Sequence, residues 1–448
     1  MSTVDEAARR EQRGWYWYDW AASAFSVSVV AVFFGPYLTD LAQAAFAAGE
    51  RITLFGLVPV TAESYYPYVA AIALALQIVV MPVVGSVADA ARSRRRVMGV
   101  CAYVGAVSVM AMWFLRGTNY QLGGLLFIVA TVAFGSAMVV YNSFLPLIAQ
   151  ARERDRVSSA AWALGYAGGV LLLLVNIALF VGGDRFGVSQ TDATRIALVS
   201  AGVWWALFTV VPLTRLRDRP PDVPSMGSAL VGGLRQLGRT VRGLRAYPQA
   251  LMFLLAFFFY YDGIQTMIGL SATYAVEELG LEVTDVIVSV VVVQVVGIAG
   301  ALALGRLART VGAKRVVMGS LVLWSVVVLA VFLLPAGNVA LFLTVAVFIG
   351  FILGGSQALS RSIFAQLIPK QRSGEFFSLF EVTSSASALL GPVVFAVTLQ
   401  FAGSYRLGLL FLIAFFILGA FVLARVDVAA GLDVAQRHDE TEREPLPG

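Results

Sequence analysis

The stretch GSVADAARSRRRVMG, residues 85–99, returns 220 positions later as GRLARTVGAKRVVMG, residues 305–319, and the fold follows from this pair. Both copies open on Gly, share Ala and Arg, and close on Val-Met-Gly. Each lies between two long apolar runs, so each reads as a short basic hairpin joining two membrane-spanning helices on one side of a bilayer. The same shift, without a gap, aligns Gly135-Ser136 with Gly355-Ser356, Phe144 with Phe364, and Leu147-Ile148 with Leu367-Ile368. It also aligns Arg152 with Arg372 and Ser158 with Ser378. A constant register that includes Arg, Gly and Ser in loops is stronger evidence of duplication than apolar similarity, and the chain reads as a membrane unit used twice.

Composition agrees. Hydrophobic residues make up 59% of the 448 and charged residues 13%, with a mean hydropathy of +0.82. Soluble domains run to about 45–50% apolar and about 25% charged. The net charge of +5 lies in short loops between apolar runs, where basic residues orient helices, so no nucleic-acid partner is expected. Cys101 is the single cysteine and His438 the single histidine, which excludes an intramolecular disulfide, a Cys/His metal site and a histidine proton relay. Met1 to Arg13 has no apolar core of a cleavable signal, so the first helix is expected to target the chain.

At about 20 residues per span, helices are predicted near 15–39, 66–88, 97–115, 121–148, 158–181 and 194–213. The second six lie near 249–275, 284–304, 315–334, 338–368, 375–400 and 405–424. The fold class is thus an all-α membrane protein, twelve transmembrane helices in two pseudo-symmetric six-helix bundles. Of the 32 Lys and Arg, only Arg51, Arg116, Arg185, Arg195 and Arg406 fall on the side opposite the termini, which places both termini in the cytoplasm of an inner-membrane protein. Trp15, Tyr16, Trp17, Tyr18 and Trp20 form an aromatic belt at the inner mouth of the first helix.

Four regions follow: a bundle over 1–213, a cytoplasmic linker over 214–247, a bundle over 248–425 and a disordered cytoplasmic tail over 426–448. In the linker, Met226, Leu230, Leu234, Leu237, Val241 and Leu244 recur at steps of three and four, with Arg235, Arg239, Arg242 and Arg245 on another face. That spacing predicts an amphipathic helix on an anionic inner leaflet; a solvated tether is the alternative, because four glycines lower helix propensity.

Twelve helices in two halves, with basic loops after the second and eighth, resemble the major facilitator superfamily. The first loop keeps Gly85, Ala88, Asp89, Arg94 and Arg95 of that family's signature but has Arg92 in place of a glycine. The second keeps Gly305, Gly312 and Lys314 but has Arg309 in place of the acid. A narrower resemblance rests on Tyr18-Asp19-Trp20-Ala21-Ala22-Ser23-Ala24-Phe25 and on Phe257-Phe258-Phe259-Tyr260-Tyr261-Asp262-Gly263-Ile264-Gln265-Thr266. These are similar to the bacterial "unknown major facilitator" family, related to the fungal vacuolar amino-acid effluxer of autophagy; Ala22 stands where that family usually has Asn. The resemblance implies export of small solutes, amino acids being the best-described class, and use of the two loops as conformational elements.

Asp262 lies about 14 residues, roughly 20 Å, into its helix and hence near mid-membrane. An acid there costs about 2.5–3.5 kcal/mol on insertion scales, so it is expected to face a watery passage as a site for a coupling proton or a substrate amine; satisfaction by neighbouring hydroxyls is the plainer alternative. Tyr261, Gln265 and Thr266 share that stretch. Arg361 and Glu381 flank the turn at 369–374, each about seven residues or roughly 10 Å up its helix, at equal depth for a gating or a static ion pair. Asp19, with Ser23 a turn on, suits the positive start of the first helix. Tyr141, Asn142 and Gln357 are further pathway candidates.

The reading is a monomeric secondary transporter with a small-molecule substrate, working by alternating access between the first, fourth, seventh and tenth helices, exporting amino acids with proton coupling. A multidrug or metabolite exporter of the same fold is the near alternative. An enzyme is not expected, since clustered carboxylates or a His/Cys constellation are absent, and neither is an ATP engine, since no G-x-x-x-x-G-K-[ST] loop occurs; no cofactor or metal is called for. A non-transporting sensor would have lost the polar residues around Asp262.

Overall fold

The computed structural model describes residues 3–49, 51–219, 243–402 and 405–441. Among them, twelve helices are long and apolar enough to cross a membrane. In chain order these are α1 (Glu6–Ala47), α2 (Ala62–Ala90), α3 (Arg94–Phe114), α4 (Tyr120–Ile148), α5 (Ala151–Gly182) and α6 (Gln190–Arg215). The second six are α7 (Pro248–Glu278), α8 (Thr284–Val311), α9 (Ala313–Phe332), α10 (Val339–Gln366), α11 (Ser373–Phe395) and α12 (Tyr405–Ala424). Each overlaps an expected span, α1 running beyond the expected 15–39 at both ends. Helix is the conformation that satisfies every backbone polar group within its own segment, which hydrocarbon requires. The one sheet among the described residues is a small antiparallel hairpin between α1 and α2, β1 (Thr53–Leu54) with β2 (Val58–Pro59).

Side-chain caps set the starts of several helices. Thr61 accepts from the Ser64 N–H at α2, Ser93 from Arg96 at α3, Ser189 from Asp192 at α6 and Asn338 from Leu341 at α10. Large apolar side chains left exposed repeat at three and four residues, as in Val100, Val104 and Val107 of α3 and Val322, Val326 and Leu329 of α9. Such stripes suit acyl chains.

The chain divides into two compact units that do not follow the midpoint of the repeat. One holds residues 1–141 and 164–227; the other holds 142–163 and 228–448. The expected boundary at 213 and 248 therefore misses a displaced piece: the hairpin over 142–163, first-half sequence, packs with the second half. Within the first unit α6 packs on α1 and α3; within the second α12 packs on α7 and α9, the same pattern one repeat later. In the second unit α8 and α10 cross in backbone contact, since a Cβ on Gly300 would lie 2.1 Å from the Phe351 carbonyl oxygen and one on Gly350 2.6 Å from that of Val293.

The tail expected to be disordered is helical over α13 (Val428–Thr441), where Ala435 is buried and Gly431 packs on Leu367 and Gln249. Its charge suggested a solvated tail, but its small and apolar residues share a face that finds a partner. The predicted amphipathic helix of the linker lies largely outside the described residues.

Candidate functional site: a buried arginine network in the second unit

Arg361, on α10, is 2% exposed. A guanidinium there demands acceptors, and the 142–163 hairpin supplies them. Its Nε donates to Ser158 Oγ at 2.9 Å, one terminal nitrogen to the Ser158 carbonyl at 3.1 Å and the other to Asn142 Oδ1 at 3.2 Å. The Trp162 ring, 5.5 Å from the guanidinium carbon, covers it with a π face. The Asn142 amide then donates from Nδ2 to Glu381 Oε1 on α11 at 2.7 Å. Asn142 is thus a relay between unlike charges: its oxygen accepts from the cation while its nitrogen donates to the carboxylate, from two separate atoms of one amide. The equal depth of Arg361 and Glu381 expected from the sequence agrees with this, and Asn142 proves to belong to the same cluster.

The same hairpin is fastened at several further levels. Ser158 Oγ donates to the Ala358 carbonyl at 2.7 Å while accepting from Arg361. Ser362 Oγ donates to Asp155, and Arg154 donates to the Ala365 carbonyl at 2.6 Å. Ser373 Oγ reaches the Ser143 carbonyl at 3.0 Å. Gly305 of α8 packs so closely on Ser159 that a Cβ would lie 2.3 Å from its hydroxyl. Hydrogen bonds to charged groups contribute about 1.5–3 kcal/mol each, so this row of contacts holds α4 and α5 ends firmly on α10 and α11.

Asp262 departs from expectation. It is wholly buried, lodged between α7 and α11, with Oδ1 accepting from the Gly391 N–H at 2.9 Å and no partner on Oδ2 among the described residues. Its side chain is closed to solvent here. Gly391 makes the seat: a Cβ there would lie 1.8 Å from Thr266 Oγ1 and 3.0 Å from Asp262 Oδ1. Thr266 is buried in the same contact, whereas Gln265 is half-exposed and turns off that face. Tyr261 is half-buried, stacked on Phe257 at 4.6 Å and beside Glu381, so it belongs with the arginine network instead.

The other candidates are dispersed. Tyr141 is in the first unit, stacked on Trp15 at 4.4 Å, although its neighbour Asn142 is in the second. Asp19 is 7% exposed; its carbonyl accepts from Ser23 Oγ at 2.7 Å, and both abut Gly165 of α5. Gln357 is half-exposed on α10. The helices carrying the two Tyr-Asp pairs, Tyr18-Asp19 and Tyr261-Asp262, both widen further on into π-helix, over Phe25–Phe33 and Tyr274–Glu278. Such segments loosen the backbone ladder and recur at functional positions.

The two signature loops solve one task differently. In the first, Arg94 pairs with Asp89 at 2.6 Å, and Arg95 reaches the Leu213 carbonyl in the last turn of α6 at 3.2 Å and Asp218 beyond its end at 2.8 Å. In the second, Arg309 replaces the acid and is exposed, Lys314 donates to the Ala424 and Val426 carbonyls, each at 2.7 Å, at the end of α12. Gly85 and Gly305 are both buried before their loops. Gly312, at φ 93°, joins α8 to α9 by itself. Arg92 cannot take that conformation without strain, and the first copy instead spends residues 91–93 between its helices. Sequence reasoning did not single out Ser158, Trp162, Asp155 and Gly391 for these roles; for Ser158 the repeat register, which pairs it with Ser378, was the available signal.

Helices, loops and buried charges together define a membrane transporter of the major facilitator fold. Solved structures agree on the fold: the human organic anion transporter MFSD10 superposes with a TM-score of 0.68 at 15% identity, over 93% of this chain and 99% of that one. The E. coli fucose:proton symporter FucP does so at 0.66 and 13%, over 95% and 100%. The chain belongs to the "Vacuole effluxer Atg22 like" family, whose model matches residues 7–436. An uncharacterized MFS-type transporter of Bacillus subtilis, YxiO, is 27% identical over 433 residues, 96% of this chain and 98% of its own. Autophagy-related protein 22 of Coccidioides immitis is 25% identical over 532 aligned positions, covering 95% and 87%. The protein is therefore a transporter with a small-molecule substrate and not an enzyme.

Proposed function

We propose that this protein is a proton-coupled exporter of small solutes, amino acids first among them, in which the Arg361–Asn142–Glu381 network is the cytoplasmic gate. The observation that carries the reading is a buried cation satisfied by a hairpin of first-half sequence. The hydroxyl, carbonyl and amide contacts of the hairpin can each be replaced by water when the hairpin leaves. Family membership supports efflux, and the basic loops support an orientation with both termini in the cytoplasm of the inner membrane. The signature loops, through Asp89, Arg94, Arg95 and Lys314, tie helix ends within each half, as alternating access by bundles that move as bodies requires.

Asp262 is the proposed proton carrier. In this conformation one backbone amide meets one oxygen of its carboxyl, an environment in which a neutral acid is less costly than a bare carboxylate. Release then requires α7 to turn or part from α11, and the π segment beyond it gives the freedom to do so. Proteoliposomes with labelled amino acids and an imposed pH gradient test the reading: wild type drives flux with the gradient, and Asp262→Asn exchanges substrate without responding to pH. Flux equally pH-driven in the variant would exclude Asp262 as the carrier.

A further inference from the structure

Beneath the gate network lies a cavity of about 340 Å³ with three walls: the α4–α5 turn, the segment after α10, and α13. Small-molecule sites run from about 300 to 1,000 Å³. Its lining includes Arg152, Arg154 and Lys370 against a single acid, Asp439. Arg154 is 3% exposed and held by the carbonyls of Ala149, Ala365 and Pro146. Carbonyls fix its position, and the carboxylates within electrostatic reach of its charge are those of Asp439 and Asp155. Asp439 is itself engaged, Oδ1 accepting from the Lys370 N–H at 2.9 Å. The third wall is docked with care: Asp427 N–H donates to Gln249 at 2.7 Å, Gly431 packs on Leu367, and the His438 ring lies 4.9 Å from that of Tyr247.

We propose that this cavity binds a phosphate-bearing anion and is a regulatory site apart from the transport pathway. Two guanidinium groups and an ammonium match phosphate oxygens in charge and geometry, while Gln150 and Gln436 add neutral donors at the rim. An anion bridging Arg152 and Arg154 to Lys370 ties the hairpin to the end of α10 and seats α13 over both. By the gate reading above, that favours the closed gate; binding itself does not depend on that reading.

Inorganic pyrophosphate is the soluble probe, added to purified protein in phosphatidylcholine nanodiscs, with chloride at matched ionic strength as control. A parallel set of nanodiscs contains phosphatidylglycerol and no pyrophosphate. The expected result is a rise in melting temperature of about 2–4 °C, the size of a shift of roughly 1 kcal/mol. It should be lost in the double variant Arg152→Gln/Lys370→Gln, chosen because Arg154 also holds three carbonyls. It should likewise be lost on truncation after Val426, which removes one wall. A rise with pyrophosphate assigns the site to a free phosphate compound, and a rise with phosphatidylglycerol alone to a lipid headgroup. No rise with either, or an equal rise in both altered proteins, overturns the proposal.

Discussion

The second unit buries two polar centres and treats them oppositely. Arg361 is met by two serine oxygens, an asparagine and a tryptophan face, nearly all from a hairpin that belongs by sequence to the other half. Asp262 has one backbone amide from α11, a helix of its own half, and one oxygen with no partner among the described residues. A charge that must stay charged is surrounded by acceptors, whereas an acid that changes its protonation is left under-satisfied. On the proposed function, the first centre is the lock and the second the proton sensor.

The sharpest break is Arg361→Ala. It strands Glu381 and Asn142 without their cation, and removing one member of a buried charge network costs about 3–5 kcal/mol. Thermal unfolding should shift down by many degrees and transport should fall more than tenfold; Glu381→Gln in the same chain should restore part of the stability. A double variant no better than the single would separate the two charges.

Asn142→Asp comes next. It keeps an acceptor for Arg361 but sets a second carboxylate against Glu381, so it should cost about 1–3 kcal/mol through loss of a part-buried hydrogen bond to a charged group. Asn142→Gln, which keeps the amide, should lose less. On the other side, Gly391→Ala pushes a methyl into Thr266 and should destabilise by about 1–3 kcal/mol through overpacking, with the pH response of transport altered more than its substrate affinity. An unchanged melting temperature would show that α11 does not press on α7 as described.

The smallest effect is expected at the loops. Lys314→Ala removes a cation from the carbonyl end of α12 and should cost about 0.3–1 kcal/mol. Asp89→Asn, which breaks an ion pair of 2.6 Å with both side chains about nine-tenths buried, should exceed it. Equal losses in the two would mean that the loops have not diverged in how they hold the bundles.

Much of this was readable before any coordinates. The spacing of apolar runs gives all twelve spans, because hydrocarbon thickness fixes helix length. The depth of Arg361 and Glu381 follows from counting residues up from one turn. What a helix face meets is less legible: Tyr261, Asp262, Gln265 and Thr266 share one side of α7, but Gly391, which receives Asp262, lies 129 residues on. The displaced hairpin was equally hidden, since nothing in the sequence around Ser158 shows that it will supply acceptors to Arg361. The tail misled through its charge, though Gly431, Leu432 and Ala435 at steps of one and three already marked a packing face.

The central claim is that the 142–163 hairpin leaves α10 in each cycle. Gln150 and Gln366 line one cavity from opposite sides of that contact, outside the arginine network. In a chain with Cys101→Ser, Gln150→Cys and Gln366→Cys, joined by a short reducible thiol cross-linker in proteoliposomes, solute flux should stop and return on reduction. Flux at the uncross-linked rate while the bridge is intact would contradict the gate.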